Sequence, residues 1–313
     1  MDTQQETRPA QSPLARQGQR RAGVEIVQTV DELRRALGPS RRAGAAIGLV
    51  PTMGALHEGH LSLARLARVR DDVVVASIFV NPAQFGPGED LSRYPRMPER
   101  DAALLAEASV DVLFTPAVEE VYPPGFSTRV EVGRLGKILE GASRPGHFSG
   151  VATVVAKLLN MVGPRRAYFG QKDAQQVAVI RRMTRDLDLP VEIVVGPTVR
   201  EADGLAMSSR NAYLSPEGRV AAAVLSRALS TAKARYDAGE HDARILRRAM
   251  RDTVAGEPLA DLDYAAVVDG ATMDRLKAAH EGAILVIAAR VGTTRLIDNM
   301  LLSSVSSPLD AAP

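Results

Sequence analysis

The stretch Pro51-Thr52-Met53-Gly54-Ala55-Leu56-His57-Glu58-Gly59-His60 holds two of the chain's five histidines within four positions. An apolar run, Ala46-Ile47-Gly48-Leu49-Val50, precedes it and reads as a buried strand. Helical spacing follows at Leu61, Leu63, Leu66 and Val69. A helix beginning near Glu58 puts His57 and His60 one turn apart, pointing the same way. Gly54 permits a tight turn, and Gly59 lets a ligand approach the backbone closely. Free N–H groups at a helix N-terminus make an anion site, and imidazoles there can donate to phosphate oxygens. Phosphate chemistry is the reading that uses all of these residues. A metal site lacks a third ligand at a suitable spacing, and the order is not the His-Glu-x-x-His of zinc proteases. No Gly-Lys-Ser/Thr follows, so the stretch is not a Walker loop. Two structural histidines with satisfied ring nitrogens are the plain alternative.

Two further clusters carry chemistry. In Phe169-Gly170-Gln171-Lys172-Asp173, Gly170 allows close approach, Lys172 is a phosphate-binding charge, and Asp173 can bond a ribose hydroxyl. Simple helix capping by Asp173 competes with that role. Gln175 and Gln176 follow on the next helix, where either could be a solvated surface amide. The segment Arg200 to Asn211 concentrates hydroxyls, a guanidinium and an Asp203-Gly204 turn. It can close over a triphosphate, with Arg210 neutralising charge on a leaving pyrophosphate. An ordinary polar linker is the alternative. A histidine pair, a lysine and a Ser-Ser-Arg loop around one crevice suit nucleotidyl transfer.

These clusters need elements to hold them. Val73 to Val80 is strand-like because β-branched residues dominate. Further strands are expected at 110–114, 167–169 and 191–195, with helices at about 99–108, 151–161 and 173–186. Near-continuous apolar strands separated by helices indicate a parallel sheet covered on both faces. In such sheets ligands bind beyond the carboxyl ends of the strands, where all three clusters fall. The expected class is therefore α/β: a Rossmann-like, doubly wound parallel sheet over residues 23–198. The pattern then changes to helices at 215–236 and 243–254 and short strands at 262–268, 283–290 and 294–299. That unit, residues 199–303, reads as a smaller C-terminal α+β domain. Residues 1–22, rich in Gln, Arg, Pro and Ser, read as a disordered tail, and residues 304–313 as a second loose tail.

Composition excludes several functions. The 313 residues contain no cysteine, so disulfides, thiolate metal sites and cysteine nucleophiles are out. A net charge of +2 is no nucleic-acid stripe, and 4% aromatics without tryptophan give no base-stacking platform. No segment is apolar for long enough to span a membrane, and the start lacks the apolar region of a secretory signal. A cytoplasmic location is the default expectation, with neither nucleic acid nor membrane as partner.

With these residues in view, the chain resembles the pantothenate synthetase (pantoate–β-alanine ligase) family of the HxGH nucleotidyltransferases. The likeness runs from about Ile47 to Asn299. It rests on Pro51 to His60, Ile78-Phe79-Val80-Asn81-Pro82 through Gln84-Phe85, and Asp90 through Tyr94-Pro95-Arg96. Phe169 to Asp173 with Gln175-Gln176, and Arg200 to Asn211, complete it. The resemblance implies a Rossmann-like domain plus a smaller C-terminal domain, as a cytoplasmic homodimer. It implies that ATP and pantoate, with Mg²⁺, give pantoyl adenylate and pyrophosphate. The amine of β-alanine then releases pantothenate and AMP. By the family pattern, Met53, Gly54, His57, Gly59 and His60 line the ATP site, with His60 in the acid role. Gly170, Lys172, Asp173 and Val199 also bind ATP; Met207, Ser208, Ser209 and Arg210 close over its phosphates. Gln84 and Gln176 hold pantoate. His57, His60, Lys172 and Arg210 are the expected catalytic set. Gln171 stands where the family usually has Glu, and Arg100 stands beside Asp101 where some members carry acidic groups. Mg²⁺ is therefore expected to ride mainly on ATP oxygens. A related nucleotidyltransferase that stops at a free nucleotide conjugate would lack use for Gln84 and Gln176. A sensor without turnover would have lost one of the four catalytic groups.

Overall fold

The computed structural model describes residues 23–303; the tails expected at 1–22 and 304–313 lie outside the described residues. In chain order come β1 (Glu25–Val27), α1 (Val30–Arg42), β2 (Ile47–Thr52), α2 (Glu58–Arg70), β3 (Val73–Ile78), α3 (Pro98–Glu107) and β4 (Val112–Phe114). Two short turns of helix, α4 (Val118–Val121) and α5 (Glu140–Ser143), lead to α6 (His147–Val162), β5 (Arg166–Gly170), α7 (Ala174–Asp186) and β6 (Glu192–Gly196). The remainder is α8 (Pro216–Ala222), α9 (Val224–Asp237), α10 (Ala243–Ala255), β7 (Ala260–Asp269), β8 (Ala283–Val291) and β9 (Thr294–Leu301).

Strands β1 to β6 form one sheet in the order β1-β4-β3-β2-β5-β6, every pairing parallel. Alternation along each strand decides what covers it. Leu49 and Val75 face one core with Leu33 and Leu37 of α1, Val155 of α6 and Ile180 of α7. Their neighbours Val50, Val74 and Ala76 face the other, with Leu61 and Ala64 of α2 and Leu105 of α3. Both faces are therefore apolar and covered, which is why the strands read as continuous hydrophobic runs. From β2 the chain winds one way through β3 and β4. It then returns to β5 on the other side of β2 and continues to β6. The crevice between the carboxyl ends of β2 and β5 is thus the topological switch point, where ligands bind in such sheets.

The second sheet is antiparallel, β7-β8-β9. One of its faces packs on α9 and α10 through Leu285, Ile287, Leu229, Leu246 and Met250. The other, through Ala266, Val268, Ile284 and Val286, docks on Leu139 before α5 and on Ala174 and Ala178 of α7. The C-terminal sheet is thereby pressed against the helix that begins just after Lys172.

The structure differs from the sequence reading in several elements, including α1, α4 and α5, which that reading lacks. The parallel sheet has six strands, not five, because β1 has only three residues, of which only Val27 is buried, too short a run to show periodicity. The helix expected over 215–236 is two, broken at Ala223, whose N–H turns to the Val220 carbonyl in a tightened turn. The helix expected from Val151 begins four residues earlier at His147, behind Gly146 in the left-handed region (φ 83°).

Candidate active site

The loop from β2 to α2 is built by hydrogen bonds within and beneath it. Thr52 donates its hydroxyl to the Ser77 carbonyl and accepts the Gly54 N–H. Gly54 sits at φ 84°, where an added Cβ would also meet Ile78 at 3.0 Å. Asp101 of α3, 1% exposed, accepts the N–H groups of Ala55 (2.8 Å) and Leu56 (2.9 Å). Arg100 donates to the Leu56 carbonyl at 3.1 Å. The two residues that the sequence left as a metal question are thus clamps on this loop, and Asp101 has both carboxylate oxygens engaged.

The two histidines cap α2. His57 Nδ1 accepts the Gly59 N–H at 3.1 Å, and His60 Nδ1 accepts the His57 N–H at 3.4 Å. Gly59 is required for that fold-back, since a Cβ there would stand 2.9 Å from the His57 ring. A backbone N–H can only donate, so each Nδ1 carries no proton. Each neutral ring therefore has its proton on Nε2, as a donor pointing away from the helix. The rings lie 4.1 Å apart. Burial pushes His57 down to about 4, with the Lys172 charge adding to it. Burial pushes His60 down to about 3, with His57 adding to it. One nitrogen of each ring is therefore structural, as the plain alternative expects.

Beyond β5, Asp173 stands at the first turn of α7 but makes no side-chain cap there; its carboxylate lies 3.7 Å from Lys172 Nζ. The capping reading therefore does not hold. Gln175 is buried, accepting the Glu140 N–H and donating to the Leu135 and Ile138 carbonyls, so it is neither a surface amide nor free for substrate. Gln175 and Gln176 both border a cavity of about 980 Å³ between the two sheets, with Lys172, Asp173, Ser208 and Arg210. Gln171 and Asn299 of β9 exchange hydrogen bonds: Gln171 Nε2 donates to Asn299 Oδ1 at 3.0 Å. Asn299 Nδ2 donates to the carbonyls of Gln171 (2.9 Å) and Lys172 (2.7 Å). The amide at 171 thus ties the Lys172 turn to the C-terminal sheet.

Past β6, Val199 and Met207 pair through the Met207 N–H and Val199 carbonyl, closing a hairpin turned at Asp203-Gly204, with Gly204 at φ 89°. Arg200 anchors the hairpin in a two-pronged pair with the buried Asp298 of β9. Ser208 accepts the Arg210 N–H, and the Ser209 hydroxyl meets the Tyr94 hydroxyl at 3.1 Å. Thr198 Oγ1 and Asn211 Oδ1, flanking this loop, are buried without a hydrogen-bond partner among the described residues. Buried polar atoms left in that state suit a site completed by a polar ligand.

Gln84 lies on the turn after β3, 9% exposed. Its amide oxygen accepts from Asn81 at 3.0 Å and its Nε2 stands 3.1 Å from Met53 Sδ. Its carbonyl accepts from His147 Nδ1 at 2.8 Å. Gly150 allows this packing: a Cβ there would lie 2.2 Å from the Ala83 carbonyl oxygen. Of the sequence-identified groups, Lys172, Asp173, Gln176, Ser208 and Arg210 border the cavity; His57 and His60 stand near enough to feel the Lys172 and Asp173 charges, and Gln84 packs on Met53 outside that lining. Asp101, Asn81, His147, Arg144 and Asn299 support this region through hydrogen bonds, a role that no motif disclosed.

A parallel sheet with helix-capping imidazoles, a lysine turn and a Ser-Ser-Arg loop at its switch point defines a nucleotide-using α/β enzyme. The family model described as pantoate-beta-alanine ligase matches residues 25–301, and the chain belongs to that family. It is 57% identical to a pantothenate synthetase of Roseiflexus castenholzii over 90% of this chain and all of that one. It is 56% identical to one of Moorella thermoacetica over 89% of this chain and 99% of that one. Among solved structures, pantothenate synthetase from Thermus thermophilus superposes with a TM-score of 0.86 at 53% identity, covering 90% of this chain and 100% of that one. A pantoate–β-alanine ligase from Francisella tularensis, complexed with β,γ-ATP and β-alanine, superposes at 0.73 with 36% identity, covering 89% and 97%.

Proposed function

We propose that this chain condenses pantoate with β-alanine to pantothenate at the expense of ATP, through a pantoyl adenylate. The observation that carries the reading is the paired histidine cap, whose Nδ1 atoms are spent on backbone N–H groups and whose rings lie within range of the Lys172 and Asp173 charges. In the first step a pantoate carboxylate oxygen attacks the α-phosphorus of ATP, and the bond to the β-phosphate oxygen breaks. Charge develops on the leaving pyrophosphate and on the α-phosphate oxygens. Neutral imidazole donors, fixed before the reaction, stabilise that charge without reorganising. Lys172 and Arg210 supply full positive charge, and Ser208 and Ser209 hydroxyls complete the phosphate loop. Met53, Gly54, Gly59, Gly170 and Val199 offer close backbone approach to the nucleotide, and Asp173 a ribose partner. In the second step the β-alanine amine attacks the acyl carbon and AMP leaves.

Mg²⁺ would be carried mainly by the triphosphate, where it would neutralise phosphate charge. Residues 23–198 act as the ATP and pantoate domain, and 199–303 as the domain that closes over it. No helix among the described residues is long and apolar enough to cross a membrane. A cytoplasmic homodimer is the assembly the family likeness favours.

The pantoate assignment separates from the ATP assignment by experiment. Gln84 and Gln176 offer amide donors and acceptors suited to a hydroxy acid. Leaving substrate groups unpaired costs about 1–3 kcal/mol each, or roughly tenfold in pantoate use. Gln84→Ala and Gln176→Ala are therefore expected to raise the pantoate KM about tenfold or more while calorimetric ATP binding changes little. Loss of ATP binding in a folded Gln84→Ala protein would refute the placement of the pantoate pocket.

A further inference from the structure

The segment from Gly86 to Tyr94 takes no part in the chemistry above, yet it is fastened to the site on two sides. Glu89 receives the Arg144 guanidinium through Nε at 2.9 Å and Nη2 at 2.6 Å. Arg144 also reaches His147 Nε2 at 3.1 Å, and His147 holds the Gln84 carbonyl. The next residue, Asp90, receives Arg210: Nε to Oδ2 at 3.0 Å and Nη2 to Oδ1 at 3.0 Å. Tyr94 meets Ser209, and the Tyr213 hydroxyl donates to the Arg93 carbonyl at 3.1 Å. Glu89, Asp90, Arg93 and Tyr94 of this strap therefore grip either the phosphate loop or the support of Gln84.

A guanidinium on a loop has many rotamers, and most would not meet a phosphate. A fork-to-fork carboxylate pair fixes the plane as well as the position of the group. Here the pair occupies Nε and Nη2, and Nη1 has no protein partner among the described residues. Arg210 lines the cavity beside Lys172 and Ser208. Asp90 itself is well shielded, its side chain 14% exposed, and Glu89–Arg144 restrains the residue before it. We infer that Asp90 is a positioning residue for adenylation: it holds Arg210 so that the Nη1 edge faces the departing pyrophosphate. This rests on the reading of Arg210 as a phosphate-loop cation.

A double-mutant cycle on the full-length enzyme tests it, with pantoate-dependent pyrophosphate release as the rate and thermal midpoints as the fold check. Arg210→Ala is expected to lower kcat about 100-fold, as for a lost charge-stabilising donor. Asp90→Ala is expected to lower kcat roughly tenfold with the pantoate KM within about twofold, and Asp90→Asn roughly threefold, since one acceptor remains. In the Arg210→Ala background, Asp90→Ala is expected to have almost no further effect, because the interaction is already gone. An equal loss in both backgrounds would make Asp90 a support of the loop alone and overturn the proposal. Faster turnover or tighter ATP binding in Asp90→Ala would make the carboxylate a competitor of phosphate and overturn it too. Should Asp90→Ala not fold, Asp90→Asn with wild-type kcat would do the same. Near-normal activity of Arg210→Ala is a separate outcome: it would sink the role given to Arg210 itself.

Discussion

His60→Ala lowers pantoate-dependent pyrophosphate release by roughly two to three orders of magnitude, the loss expected when one preorganised donor is removed from developing charge. The expectation follows from the way the ring is held. Its Nδ1 is spent on the His57 N–H, so the proton is fixed on Nε2 and the donor needs no reorganisation. The variant should remain folded, because one cap hydrogen bond is lost while the core of α2 around Leu61 and Ala64 stays filled. A folded His60→Ala protein with near-normal adenylation would remove the histidine from the mechanism. The same ring gives a pH signature. Its folded value lies at about 3, below the ordinary 6.5, because burial disfavours the cation. The folded chain therefore refuses a proton that the unfolded chain takes up below about 6.5. This ring's contribution makes stability fall as pH falls from 6.5 toward 3, and His60→Ala should shallow that slope. Proton NMR of the free enzyme should show no midpoint near 6.5 for His57 or His60.

Lys172→Ala is expected to cost adenylation a similar two to three orders of magnitude, because a full charge is withdrawn where the transition state gains negative charge. Lys172→Arg should recover only part of the rate, since a planar fork cannot occupy the position of a compact ammonium. The turn that presents Lys172 survives either change, being held through backbone carbonyls by Asn299. The charge of Lys172 also depresses His57. His57 should therefore titrate at a higher pH in Lys172→Ala and not in Lys172→Arg. Stopped-flow pyrophosphate assays and a histidine titration check both statements. Unchanged adenylation in folded Lys172→Ala would contradict the phosphate role.

The parallel sheet was legible because its strands are buried on both faces, so Ile47 to Val50 and Val73 to Val80 show as near-continuous apolar runs. Each motif also follows a strand, where the fold rule puts ligands. What escaped was everything that depends on partners distant in sequence. Asp101 carried no assigned role, and only its burial against the Ala55 and Leu56 N–H groups shows it as a clamp. Gln175 and Gln176 are adjacent and chemically identical. Both border the cavity, and only the fold shows that Gln175 spends its amide on the Glu140 N–H and the Leu135 and Ile138 carbonyls. Gln171 gave no hint of Asn299, 128 residues away. The histidine tautomers were likewise beyond the sequence, being set by which nitrogen folds back on the helix N-terminus.

The central claim is that pantoate is adenylated before β-alanine takes part. Its most direct test is rapid-quench measurement of pyrophosphate from ATP in a single turnover with excess enzyme, with pantoate present and β-alanine present or absent. The account predicts about one pyrophosphate per limiting ATP in both cases, none without pantoate, and AMP with pantothenate appearing only once the amine is added. Pyrophosphate that forms only when β-alanine is present, or equally well without pantoate, would contradict it.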